Sequence, residues 1–376
     1  MDAIVTYDLT KEYGGRPVLE SLNLQVPQGQ AFACVGQRGW GKTTLIRLLS
    51  GLANPTSGEC TVLGFSPTYE PQRLHAVAGT VLDSARLYAK MTLWENLRFF
   101  AGIHGFDDND ALERSSFLLH KLDIWEGRDL LVESLPTGVL RRASLARALM
   151  HRPQILLADE PPSSMDQESL EAIQALMGCV AQEEGVSLFL CCSNMEYAQL
   201  LCQNFALLKQ GVLLAKGDVE SLRKGAGVGY RAQLRTQEGH PAPAGFHPVG
   251  NVWEKEIETE KAMCQIIAQA VGEGIPLYEA RLLRPTLREI YSAWLDGGRR
   301  KVLEPYGTAE ETAPEDGASG EESAELTQGS GTPEEHPGAG EGSALETGSS
   351  EEEVWRAPLL LFGRDCPGGK GFRGHL

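Results

Sequence analysis

Short apolar runs of strand length recur through the first 225 residues, at Ala31–Val35, Ile155–Ala158, Val186–Cys192 and Phe205–Leu208. Stretches of helical periodicity separate them. That alternation predicts an α/β layer built on a largely parallel sheet. From about Asp83 to Val139 the strand pattern fades and helix pattern takes over. Thr92 and Glu95 have the spacing of a capping box and open the run that begins Leu93-Trp94. The pattern predicts a helical subdomain, about residues 84–140, inserted in the α/β core.

Lys224–Gly229 is a glycine-rich break. After it Tyr230–Thr236 alternates as a strand does, Lys261–Ala270 has helical spacing, and Arg281–Leu283 is short and apolar. Thr286 and Glu289 form a second capping box, opening a helix that runs to about Leu295. A small α+β appendage over 228–298 is expected, behind a cassette at 1–225. From Glu304 to Glu353 the composition turns to Gly, Ser, Thr, Pro, Ala and Glu. Such a segment buries too little apolar surface to offset its ordering entropy, so 304–376 is expected to be a disordered acidic tail. It is either a solvated spacer or an interaction tail. The apolar run Val354–Gly363 near the end is either a docking motif or a plain terminal extension.

Charge follows the same division. Of a formal net charge of −17, the stretch Glu304–Glu353 contributes 15 acids with no Lys or Arg, and residues 1–303 are left near −5. No basic footprint of a nucleic-acid binder is present, so no nucleic-acid partner is expected. No apolar run approaches the roughly 18 residues of a membrane span. The first residues carry acids and lack the apolar centre of a secretory signal. The eight cysteines, at 34, 60, 179, 191, 192, 202, 264 and 366, contain no CxxC pair, and several lie in apolar runs. They read as reduced, mostly buried thiols of a cytoplasmic chain.

The chemistry concentrates in one segment. Gly36-Gln37-Arg38-Gly39-Trp40-Gly41-Lys42-Thr43 fits GxxxxGK[ST], follows the strand Ala31–Val35 and precedes a helical run from Thr44. Glycines let backbone N–H groups turn inward around a polyphosphate, and the helix N-terminus adds partial positive charge. Lys42 is placed to reach the β and γ phosphates, and the Thr43 hydroxyl to ligate Mg2+. Further on, the apolar run Ile155–Ala158 ends in Asp159-Glu160. A buried strand there delivers Asp159 to a metal at the sheet edge, and Glu160 can polarise a water as general base. ATP and Mg2+ are the cofactors expected. The fold expected is a P-loop NTPase (RecA-like) core with its helical subdomain.

In the order of these motifs the chain resembles the ATP-binding subunit of an ATP-binding cassette (ABC) transporter, over about residues 3–225. The resemblance implies adenine stacking by Tyr13, a D-loop at Ser163–Asp166 and, around Leu87–Leu97, the segment that meets the membrane partner. It implies a signature loop at Leu135-Pro136-Thr137-Gly138-Val139, a Q-loop residue at Asp83 that can touch Mg2+, and a switch residue at Ser193. Here the sequence departs from the family's LSGGQ, glutamine and histidine; of the signature chemistry only Gly138 remains. The appendage, ending in LRPTLREIYSAWL, resembles that of bacterial exporter subunits. The implied activity is ATP hydrolysis, slowed by these departures, coupled to a separate membrane permease. The implied assembly is a homodimer or heterodimer of nucleotide-binding subunits. It would sit on the inner face of the membrane, held there only through the permease. The alternative is a degenerate ATP-binding half with little or no hydrolysis. A soluble cassette protein acting on DNA or ribosomes would carry two cassettes or a long coiled coil, and this chain has neither.

Overall fold

The computed structural model describes residues 1–82, 87–159, 167–237 and 244–297. Asp83, Glu160, Ser163–Asp166 and the acidic tail lie outside them.

The α/β alternation begins later than the sequence pattern suggests. The first elements, β1 (Asp2–Tyr13), β2 (Arg16–Leu22) and β3 (Gln25–Pro27), form an antiparallel sheet that β5 (Ser57–Val62) joins through β1. One face of it is apolar, with Ile4, Leu9, Leu19 and Leu22 at most 1% exposed. Strands β1 and β2 form a tight hairpin, but β1 pairs with β5 across a sequence separation that local periodicity does not reveal.

The central sheet consists of β4 (Ala31–Val35), β6 (Ala78–Val81), β7 (Ile155–Asp159), β8 (Ser187–Cys192), β9 (Asn204–Lys209) and β10 (Val212–Asp218), in the order β10-β9-β4-β8-β7-β6. All neighbours are parallel except the β9–β10 hairpin. That hairpin turns through Gln210 and Gly211, both left-handed (φ 48° and 85°), as a two-residue connection matched to strand twist requires. Strands β7 and β8 are buried along their whole length, which explains their unbroken apolar runs.

The two faces of the sheet feed two cores. Phe32, Cys34, Leu157, Phe189 and Cys191 face α1 (Lys42–Leu49) and the antiparallel sheet. Ala33, Val35, Leu156, Leu188 and Leu190 face a larger helical core. Beyond α2 (Pro71–Val77), the inserted region contains α3 (Leu93–Ile103), α4 (Asp108–Lys121), two 3₁₀ turns and α5 (Thr137–Leu149). The Thr92–Glu95 capping box is formed in both directions. Helices α6 (Gln167–Glu183) and α7 (Met195–Leu201) complete the alternation, and α8 (Val219–Ala226) leads out of it.

Beyond the break come β11 (Tyr230–Thr236), β12 (His247–Val249), β13 (Val252–Ile257), α9 (Lys261–Gly272), β14 (Leu277–Leu283) and α10 (Leu287–Leu295). The four strands form an antiparallel sheet, β12-β13-β11-β14, of which β11, β13 and β14 share a small apolar cluster with Met263 and Ile266 of α9. Helix α10 does not join that cluster. Its Leu287, Ile290, Tyr291 and Trp294 pack into the larger helical core of the cassette. The seven cysteines within the described residues are free thiols, and no helix there is long and apolar enough to cross a membrane.

One stacked histidine pair makes stability depend on pH. His104 and His151 stack with ring centroids 4.1 Å apart and planes 8° from parallel. They line a cleft of about 420 Å³ with Phe100, Leu82 and Arg147. Burial first, then the neighbouring His104, Arg114 and Arg147, brings His151 down from 6.5 to about 4, against an opposing contribution from the Ala78 backbone. Burial also lowers His104. Below pH 6.5 the unfolded chain takes up protons that the folded chain refuses, so stability is full above 6.5 and falls as pH drops towards 4. For His151 the loss is on the order of 2 kcal/mol. Urea midpoints measured from pH 7 to 4.5 should fall steeply in the parent and more gently in His151→Phe. Equal slopes would remove His151 as the cause.

Candidate nucleotide site

At Val35 strand β4 ends, and the chain turns through Gly36–Gly41 into α1. The last pair of the β4–β8 ladder is Val35 with Cys192, and the Gly36 N–H donates to the Cys192 carbonyl at 3.4 Å. The turn depends on glycine. Gly39 and Gly41 are left-handed, with φ of 81° and 94°. A Cβ on Gly41 would sit 2.6 Å from the Val18 carbonyl oxygen, and one on Gly36 would sit 2.7 Å from that of Leu208. Backbone cannot move aside as a flexible side chain does, so both positions exclude a side chain.

Lys42 is the first residue of α1 and only 3% exposed. Its ammonium reaches back under the turn and donates to the carbonyls of Gly36 and Gln37, each at 2.9 Å. Gln37, Arg38, Gly39 and Thr43 are exposed, while Trp40 and Thr44 are half-buried. The result is a ring closed at its base by a cation and open at its rim. Helix α1 has no side-chain cap and no acid in its first turn. Its leading N–H groups therefore face the ring with their partial positive charge intact.

Asp159 is the last residue of β7, 4% exposed, and pairs in register with Cys191. Ser193, half-buried, directly follows β8. The turn, Asp159 and Ser193 thus stand at the carboxyl ends of three adjacent strands, β4, β7 and β8. This is the edge where open α/β sheets bind ligands. Tyr13 ends β1, is 48% exposed, and has the Lys11 ammonium 5.0 Å from its ring centroid. Its hairpin partner β2 supplies the Val18 and Leu19 that close on Gly41. Gly138 lies on a different element, in the first turn of α5. The N-cap there is Pro136, without a side-chain cap.

The donors fit Mg2+ and a polyphosphate. The Thr43 hydroxyl and the Asp159 carboxylate are hard oxygen ligands, and a glycine cradle around a buried lysine suits phosphate oxygens. Among the described residues no group of three or more His, Cys, Asp or Glu could hold a metal by itself. A Mg2+ shared with phosphates needs no such cage. Sequence reading missed one neighbour of the turn, Tyr291 on α10. It lies within the run LRPTLREIYSAWL, but nothing in that run places it beside the loop; its proximity is a product of tertiary folding.

A parallel sheet with a glycine turn and lysine at the mouth of its first crossover helix defines a P-loop nucleoside-triphosphatase fold. The ABC transporter family model matches residues 19–163. The bacitracin transport ATP-binding protein BcrA of Bacillus licheniformis is 30% identical over 221 residues, 59% of this chain and 71% of its own. The linearmycin resistance ATP-binding protein LnrL of Bacillus subtilis is 26% identical over 301 residues, 76% and 95% of the two chains. Among solved structures, the ATP-binding cassette MJ0796, a dimer in a post-hydrolysis state bound to ADP and Pi, superposes with a TM-score of 0.53. That match has 21% identity and covers 57% of this chain and 98% of the other. The chain belongs to the ABC transporter family, among its ATP-binding subunits.

Proposed function

We propose that the chain is the energy-coupling subunit of an exporter. It binds MgATP at Gly36–Thr44, closes against a second nucleotide-binding subunit and drives a separate permease from the cytoplasmic side of the membrane. The observation that carries this is the buried Lys42 ammonium held inside the glycine turn, with Asp159 and Ser193 at the adjoining strand ends. Lys42 and the first turn of α1 would bind the phosphates, Thr43 and Asp159 would hold the metal, and Tyr13 would stack on the base. Mg2+, when bound, would neutralise phosphate charge and align the reacting oxygens. Glu160, from its place in sequence after Asp159, would accept the proton of the attacking water, and Asp83 would contact the metal. Export is supported by relatives whose names carry bacitracin transport and linearmycin resistance.

A second reading has its own support. Pro136 at the N-cap of α5 offers neither hydroxyl nor N–H where the family's signature loop presents donors to the partner's γ-phosphate. A homodimer would then carry two impaired composite sites. A heterodimer would let Lys42, Asp159 and Glu160 meet an intact loop, with Gly138 serving a poor second site. MgATP binding and phosphate release by the purified chain, measured beside Glu160→Gln, separate the readings. Glu160-dependent turnover supports the motor. Binding with no turnover supports the low-activity half, and no binding defeats both.

A further inference from the structure

Helix α10 presents Leu287, Ile290, Tyr291 and Trp294 as one stripe, each at most 8% exposed. Four hydrogen bonds fasten it to the cassette. The Leu287 N–H donates to Gln199 Oε1 at 3.1 Å, and the Tyr291 hydroxyl to the Leu208 carbonyl at 2.8 Å. The Trp294 indole donates to the Leu222 carbonyl at 3.1 Å, and the Lys209 ammonium to the Leu295 carbonyl at 3.3 Å. The second of these is the informative one. Leu208 is the residue whose carbonyl oxygen would lie 2.7 Å from a Cβ on Gly36. The first residue of the phosphate loop and the Tyr291 hydroxyl therefore converge on one oxygen atom.

The other limb of the loop meets the same side chain. Trp40 packs on the helical core, and its ring centroid is 6.4 Å from that of Tyr291, the planes tilted by 44°. Gln37, Arg38 and Gly39 between them are exposed. Side-chain packing on this limb thus runs through Trp40 to Tyr291. Burial raises the Tyr291 phenol well above its ordinary value, with the facing Gln37 backbone opposing the shift, so the hydroxyl keeps its proton.

We propose that Tyr291 is a positioning residue for the phosphate loop, tying helix α10 to Gly36 and Trp40 so that nucleotide affinity depends on the C-terminal segment. The proposal rests on the reading of Gly36–Thr44 as the nucleotide loop. A glycine-rich loop has many conformations, and binding selects one of them. A side chain that holds that one in advance reduces the ordering cost of binding. By the same linkage, nucleotide in the loop steadies α10, so whatever displaces α10 must also weaken nucleotide binding.

The test uses the full chain and MgATP. Tyr291→Phe keeps the ring and removes the bond to Leu208. It should raise the MgATP Kd about 3- to 10-fold, the effect of one hydrogen bond. Trp294→Phe removes a bond of the same kind from the same face of the same helix, away from the loop. It should lower the melting temperature comparably and leave Kd within about twofold. An unchanged Kd in Tyr291→Phe, or an equal shift in both variants, would overturn the proposal, because the helix would then act only through stability. A parent chain that fails to bind MgATP, or a Lys42→Ala variant that binds as the parent does, would instead overturn the loop assignment and the proposal with it.

Discussion

Lys42→Ala should lose MgATP binding by at least about 100-fold, with the fold intact. Two opposing effects set this expectation. The ammonium is buried at the base of the loop, where its interaction with a polyphosphate is poorly screened by water. Each charge-assisted hydrogen bond lost there costs roughly 1.5–3 kcal/mol, and each 1.4 kcal/mol is tenfold in Kd. On the stability side the same ammonium bonds the Gly36 and Gln37 carbonyls. Gln37 is exposed, so water can replace its bond; Gly36 is buried, so the whole cost falls on one carbonyl, about 1–2 kcal/mol. A melting temperature a few degrees down with binding abolished is the expected combination. Titration calorimetry with MgATP on both proteins checks it. Near-parent affinity in Lys42→Ala would mean that the loop is not the phosphate site.

What could be read from the sequence was local chemistry with a strict geometry. The run Ala31–Val35, the glycines and the helix after Lys42 occupy the elements expected, because GxxxxGK[ST] has meaning only between a strand and a helix. Both capping boxes, Thr92–Glu95 and Thr286–Glu289, close as their spacing requires. The antiparallel sheet was not legible. Ile4 pairs with Val62, and no local pattern announces a partner so distant. Helix α10 was legible from its capping box, but a capping box does not name the surface that covers the helix. Sequence contiguity suggested the small appendage; the structure puts the stripe against the cassette core and Tyr291 beside the loop. Asp83 and Glu160 lie outside the described residues, so their proposed roles rest on position in the sequence.

Restoring the family's chemistry at three positions, Pro136→Ser, Thr137→Gly and Ser193→His together, should raise ATP turnover by roughly 10²–10³-fold, since removing one transition-state donor from an enzyme typically costs that much. The gain is not the sum of three single gains, because groups that act on one phosphate act as a unit. Pro136 holds φ at −59° and ψ at 151°, an N-cap conformation that serine adopts without strain. Its hydroxyl could cap α5 in the isolated subunit and turn to a partner's phosphate on closure, so Pro136→Ser alone should raise thermal stability by about 0.5–1 kcal/mol. Thr137→Gly works against that gain by loosening the first turn. Ser193 is half-buried at the carboxyl end of β8, beside the Asn194 that caps α7 through the Tyr197 N–H at 3.0 Å. The decisive readout is kcat, which reports stabilisation of the transferring phosphoryl group beyond that already present in bound ATP. A large rise in kcat that disappears when Glu160→Gln is added would locate the defect in the composite site and the base at Glu160. No rise, with MgATP still bound, would mean that another feature limits turnover, and the absence of the natural partner subunit would be the next variable to test.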